Sequence, residues 1–327
     1  MAYATGTATD PNDLLQKLVT FLAANGWTSD TSTSDSSAWK ACVHRGSLYM
    51  NFRTAINEYS TTLWGGGTYS STGVYGLCFY AGTGNGASSS PWYNGAGAPV
   101  GSGQTYKVGA AIRLPSGSIS AYHFFLDAAQ DNFCGVIESS PGVFVNFGFG
   151  VSLSKAGSWT GGAYFWGTMS GYEINLTGLT YGVSSNQQAP FTYYPSTALA
   201  GTHAFVRADV DTFTSKWLAD GNTSGAAYGY TGRYCECALY GYTTGSANYP
   251  RYDTIQTRTH NAANGSPILM PIPVYVNRDA DGYSLLGNVP NVYATNAVGN
   301  GNNAGDVLTI GSDSYKLFPN FAVKKVT

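Results

Sequence analysis

The sequence predicts a mainly β fold: an antiparallel β-sandwich-like core with one N-terminal α-helix packed on it and a β-rich insertion. Three observations carry this. Tyrosine, phenylalanine and tryptophan number 25, 15 and 7 in 327 residues, and aromatic side chains favour strands. Short alternating runs bounded by Gly, Pro, Asn and Asp recur along the chain. Only one segment has the 3.6-residue apolar period of a helix.

That helix is written in TDPNDLLQKLVTFLAANGW. Asp10 is the N-cap and Pro11 takes the first helical position. Asp13 places negative charge where the helix dipole favours it. Leu14, Leu18, Phe21 and Leu22 form an apolar stripe, widened by Leu15 and Val19. Asn25-Gly26 ends the helix, the glycine supplying a left-handed cap, and Trp27 closes the corner.

Residues 29–37, SDTSTSDSS, read as a polar loop. LYMNFR, VYGLCFY and YKVGAAIRL read as strands. Between the last two runs a glycine-rich loop, residues 81–103, with Trp92 and Tyr93 at its centre. Loops this long are functional, mobile or packed on a partner. The two aromatics either anchor a contact or fold back over the core.

AYHFFLDAAQDNFCGVIES predicts a hairpin, and Ser140-Pro141-Gly142 a second turn before VFVNFGFG. The simplest arrangement is an antiparallel meander. Residues 1–170 thus form helix plus β core, and 171–265, rich in Tyr, Thr, Ser, Gly and Asn, a β-rich insertion or second layer. Residues 266–327 return to the core as an arm and hairpin. There PILMPIPVYV, with three prolines, reads as an edge strand or extended arm. VLTI-GSD-SYKLFP reads as a hairpin with a three-residue connection, stopped by Pro319.

Composition narrows the function. Charged residues make up 10% and net charge is −2, with no basic run, which argues against nucleic acid. No apolar run reaches the ~18 residues of a membrane helix, so no membrane insertion is expected. The N-terminus reads as mature protein made in a cytoplasm. A surface so poor in Lys and Glu fits burial against neighbours. Of five cysteines, Cys42, Cys78 and Cys134 sit in apolar strand-like runs and read as buried free thiols. Cys235 and Cys237 would point to opposite faces of a strand.

No motif carries chemistry. The four histidines (44, 123, 203, 260) are scattered. NRDADG (277–282) lacks the third aspartate and closing glutamate of a calcium loop. Asp127 and Asp131 flank a turn, and Asp209 and Asp211 share a strand face. They are the only motive for a polysaccharide hydrolase. In GFGVSLSKAGSWTGGAYFWG (148–167) the third glycine of G-x-G-x-x-G is Leu153, and Lys155 lacks a Walker context. The stretch is strand, turn, strand. Gly148 and Gly150 leave room on one face for a bulky neighbour. Lys155 and Trp159, at the tip, are candidates for subunit contact. No catalytic residue, cofactor or metal ligand is expected.

Four features together resemble virion structural proteins of tailed bacteriophages. They are the D-P-x-D-L-L-x-K-L-x-x-F-L-x-x-x-G-W helix; the Y-H-F-F-L-D to P-G-V-F meander; the F-G-x-x-x-K-A-G-x-W-T-G-G-x-Y turn; and the tail P-I-L-M-P-I-P-V-Y-V, L-L-G-x-V-P-N-V, Y-K-L-F-P. The match covers about residues 10–27, 120–170 and 266–320. It implies a non-enzymatic tail, baseplate or neck/collar component, located in the virion and assembled from copies of itself with other virion proteins. The alternative is a carbohydrate- or receptor-binding virion protein. It would take a host surface glycan on Trp92, Tyr93 and Trp217 as stacking platforms.

Overall fold

The computed structural model describes residues 1–58, 74–99, 109–129, 131–167, 169–170, 203–210, 213–219, 235–237, 269–277, 283–295, 297–298, 301–319 and 321–326. Strand β1 (Ala2–Ala8) leads into the single helix of these residues, α1 (Pro11–Ala24). The Asp10 carboxylate accepts from the Asp13 N–H, and Asp13 in turn accepts from Thr9 N–H and pairs with Lys17 at 2.7 Å. At the other end Trp27 N–H reaches Leu22 C=O and Gly26 N–H reaches Ala23 C=O, with Gly26 at φ +91°. That is the double-bonded glycine cap, and it satisfies carbonyls the helix leaves open.

Next come β2 (Thr28–Asp35), β3 (Ala38–Arg45), β4 (Leu48–Glu58), β5 (Val74–Gly82) and β6 (Ala110–Arg113). The expectation of a loop at 29–37 is corrected: most of it is β2, the solvent-exposed edge of a sheet. An edge strand with both faces wet has no apolar alternation to announce it. Most of its side chains are exposed, the Thr31 and Ser32 hydroxyls accept from Asn85 and Trp39, and its backbone pairs with β3. Beyond lie β7 (Ile119–Asp127), β8 (Asn132–Ser140), β9 (Val143–Gly150), β10 (Ser154–Lys155), β11 (Gly161–Gly167) and β12 (Met169–Ser170). The β7–β8–β9 meander is antiparallel with the turns where the sequence placed them.

In the remainder the described elements are β13 (His203–Val210), β14 (Phe213–Ala219), β15 (Cys235–Cys237), β16 (Leu269–Asn277), β17 (Tyr283–Thr295), β18 (Val307–Ile310), β19 (Asp313–Phe318) and β20 (Phe321–Val326). Most of 171–265, and the NRDADG turn after Asn277, lie outside the described residues. PILMPIPVYV proves to be an edge only in part. β16 pairs with β17 throughout, but with β15 only along Val274–Val276. Pro271 and Pro273 sit at a register shift beyond β15, where among the described residues no second strand asks for their missing N–H. The 307–318 hairpin closes through two residues, Gly311-Ser312, because Ile310 pairs with Asp313. Pro319 ends β19 as expected, and β20 follows and pairs back on β19.

The described strands form three antiparallel sheets. The middle sheet runs β1-β7-β8-β9-β11-β13-β14, one outer sheet β12-β6-β5-β4-β3-β2, and the other β15-β16-β17-β20-β19-β18, with β10 attached to β17. Alternate residues of the middle sheet enter two separate cores. Phe124, Leu126, Phe133, Phe147, Phe149 and Phe165 meet the leucines of α1 and Val43, Met50 and Phe52 of the first outer sheet. Phe125, Cys134, Val136, Tyr164 and Trp166 meet Ile272, Val274, Val292, Phe318 and Phe321 of the second. Burial on both faces explains why middle strands such as VFVNFGFG show continuous apolar character rather than clean alternation.

Candidate functional site

The corner at 150–161 is built by two strands of the middle sheet. β9 and β11 pair antiparallel, Phe149 opposite Phe165. Between them the chain leaves the sheet, and β10 pairs with Gly287 and Asn288 of β17. Ala156 N–H and Trp159 Nε1–H both donate to Leu286 C=O, at 2.9 and 2.8 Å. The corner therefore clips the middle sheet to the second outer sheet. At its base Gly161 and Gly162 stand at φ +96° and +111°, a conformation that disfavours a Cβ.

Lys155 and Trp159 are both at this tip, as expected. Lys155 is exposed, donates to Trp159 C=O at 3.2 Å and lies 4.9 Å from the ring centroid of Trp159. Trp159 is half-buried against the second core. The pair is thus an exposed cation held on an anchored indole, with the other residues of 154–158 also exposed around it.

The other three aromatics are placed differently: Trp92 and Tyr93 take the reading in which they fold back over the core, and Trp217 is not an open stacking platform. Trp92 is buried: the 83–99 loop folds over the outer face of the first outer sheet, and Trp92 packs on Tyr80 at 5.5 Å. The Tyr80 hydroxyl donates to Trp92 C=O and accepts from Gly95 N–H, while Asn51 Oδ1 accepts from Gly86 and Ala87 N–H. These bonds satisfy the polar backbone that a buried loop carries. Tyr93 is half-buried beside it. Trp217 is buried edge-on to Phe165, and its Nε1–H donates to Gly97 C=O at 2.9 Å. The large loop is therefore a cover clamped from two sheets, and its apolar faces are occupied.

A feature the sequence did not disclose is where large apolar side chains remain in water. Among the described residues these are Leu285, Val307 and Ile310, exposed 41%, 47% and 44%. All three belong to the second outer sheet. β18 is that sheet's edge, and Val307-Leu308-Thr309-Ile310 contains neither charge nor proline. At the edge of the first outer sheet, β2 is guarded: Asp30 contacts His44 at 2.6 Å and Asp35 pairs with Arg53 at 2.7 Å. Exposed edges without such guards recruit another strand.

Of the candidate acidic pairs, Asp127 and Asp131 make contacts within the fold. Asp127 accepts from Ala129 N–H and Asn291 Nδ2–H, and Asp131 pairs with Arg45 at 2.8 Å. Asp209 and Asp211 side chains lie outside the described residues. Cys42, Cys78 and Cys134 are buried thiols in no disulfide; burial pushes the Cys42 and Cys134 thiols far above their ordinary range. No group of three His, Cys, Asp or Glu that could hold a metal occurs among the described residues, and none of their helices is long and apolar enough to cross a membrane. No protein-family model matches the chain, and no curated protein matches it.

Proposed function

We propose that the chain is a non-enzymatic structural subunit of a tailed-phage virion, assembled in multiple copies in the tail, baseplate or neck. The observation that carries the reading is the second outer sheet. It holds every large exposed aliphatic of the described residues and ends in an uncharged edge strand. Such an edge supplies main-chain hydrogen bonds to a neighbouring copy, and flanking aliphatics supply burial. The sequence motifs of the helix, meander, corner and tail support the same assignment. The anchored Lys155–Trp159 tip stands on the same outer sheet through β17 and adds a polar contact point.

Peptide mass spectrometry of density-purified phage particles tests this. The chain is expected in intact particles at several copies each. Its absence from particles, with accumulation only in the soluble lysate, contradicts the reading. The glycan-platform alternative finds less support, because Trp92 and Trp217 present no open face.

A further inference from the structure

The β18–β19 hairpin fixes which way the backbone of β18 points. Ile310 faces Asp313 across the turn, and Leu308 faces Tyr315. Residues flanking a two-residue turn exchange both main-chain bonds, and bonded and unbonded pairs alternate from there. Leu317 N–H donates to Asp306 C=O at 2.9 Å, in the same phase. Asp306, Leu308 and Ile310 therefore bond inward to β19, while Val307 and Thr309 turn their N–H and C=O outward. Both residues are exposed, and β18 ends its sheet among the described residues.

A second β18 fits these groups across a twofold axis. An axis normal to the sheet leaves each residue on the same face in both copies, and side chains directly opposite share a face. Odd-numbered residues therefore meet odd, and even meet even. With Leu308 opposite Leu308 of the second copy, Val307 meets Thr309 on both sides of the axis, and every outward group of the two residues finds a partner. Neighbouring registers fail. Centring on Thr309 sets Val307 against Gly311, which turns away at φ +63°. Centring on Val307 sets Thr309 against Gly305, whose N–H is already given to Leu317 C=O.

The side chains agree with the backbone. Leu308 packs on the small cluster of Tyr315, Leu317 and Ala322, so the Leu308 pair extends that cluster across the axis, with exposed Ile310 diagonal to it. On the other face Val307 lies against Thr309, a favourable β-branched pair. Charge is also compatible. Val307–Ile310 has none, so β18 meets itself without repulsion, whereas β2 would bring Asp30 and Asp35 towards their own copies.

We propose, on the reading of this sheet as the contact between copies, that β18 pairs antiparallel with β18 of a second copy about a twofold axis at Leu308. The two outer sheets then join into one.

Disulfide trapping in the full chain decides it, read as covalent dimer beyond that of the unsubstituted chain under the same mild oxidation. Opposed residues of an unbonded antiparallel pair stand about 4.5 Å apart at Cα, within disulfide reach. Leu308→Cys is expected to cross-link. Val307→Cys and Thr309→Cys, each exposed, are expected to cross-link when mixed and not when alone, and Ile310→Cys not at all. No cross-link from either Leu308→Cys or the mixture, or equal cross-linking by Ile310→Cys, overturns the pairing. If the chain is present in phage particles but these cross-links fail, the pairing is overturned and the virion assignment stands. If the cross-links form but the chain is absent from particles, the pairing stands and the assignment falls.

Discussion

The indole ring of Trp166 lies across Gly148 on the neighbouring strand, in the space where any other residue would carry its Cβ. Over Gly150 that place is taken by Asn132 Oδ1 and the Tyr164 ring whose hydroxyl donates to it, and Tyr164 stacks on Trp166 at 5.8 Å with a 7° tilt. Two glycines on β9 thus make room for two large rings on β11, in the core between the middle and second outer sheets. Gly148→Ala forces a methyl group into a fully buried ring. Urea unfolding is expected to lose about 1–3 kcal/mol. Trp166→Leu in the same background should return part of that loss, because the two residues are directly coupled.

The same ring is held by a polar pair. Trp166 Nε1–H donates to Asn146 Oδ1 at 2.9 Å, both residues buried. Asn146→Ala removes that acceptor and opens a cavity. A loss of about 1–3 kcal/mol is expected, read from the denaturant midpoint at constant m-value.

Stability should fall on mild acidification through His123. Burial, with the nearby Lys316 acting in the same direction, lowers its pKa from 6.5 to about 4. The imidazole contacts the Tyr3 hydroxyl at 2.9 Å and packs on Phe318 at 5.5 Å, so it sits where the middle sheet meets the second outer sheet. The folded state holds this proton less tightly than the unfolded chain. Its contribution is therefore complete above pH 6.5 and is lost progressively as pH falls towards 4. Urea midpoints at pH 7.5, 6 and 5 check this, and His123→Phe should flatten the decline over that window.

Cys42, Cys78 and Cys134 should resist alkylation in the native state. All three are buried, and reactivity requires an accessible thiolate. Peptide mapping after a short iodoacetamide pulse should find them unmodified without denaturant and modified in 6 M guanidinium, a concentration of about the size that unfolds even very stable domains.

The sequence disclosed most where local chemistry and burial agree. Asp10, Pro11 and Gly26 punctuate α1 at both ends, so the helix is legible to the residue. The β7–β8–β9 meander and the β9–β11 corner follow from turn residues between apolar runs. β2 was hidden because TSDTSTSD faces water on both sides, and β1 because its AYATGTA lacks an apolar stripe. The three-sheet stack was hidden too. Runs such as NFCGVIE are apolar on both faces, but only the partner sheets say what covers each. Trp92 and Trp217 were ambiguous for a related reason. An aromatic in a glycine-rich segment looks alike whether it faces solvent or, as here, Tyr80 and Phe165. Of the candidate contact surface, Lys155 and Trp159 were visible as a turn tip. Val307, Ile310 and Leu285 were not, since their exposure depends on strand order in the second outer sheet.

The native mass of the purified full chain tests the central claim most directly, measured alongside a Val307→Lys/Ile310→Lys variant. Both substitutions place charge on the exposed edge of β18, where neither disturbs a buried contact. The account predicts a discrete closed oligomer for the native sequence and a shift to monomer for the variant with unchanged circular dichroism. A strict monomer for the native sequence, or the same oligomer in both, would contradict it.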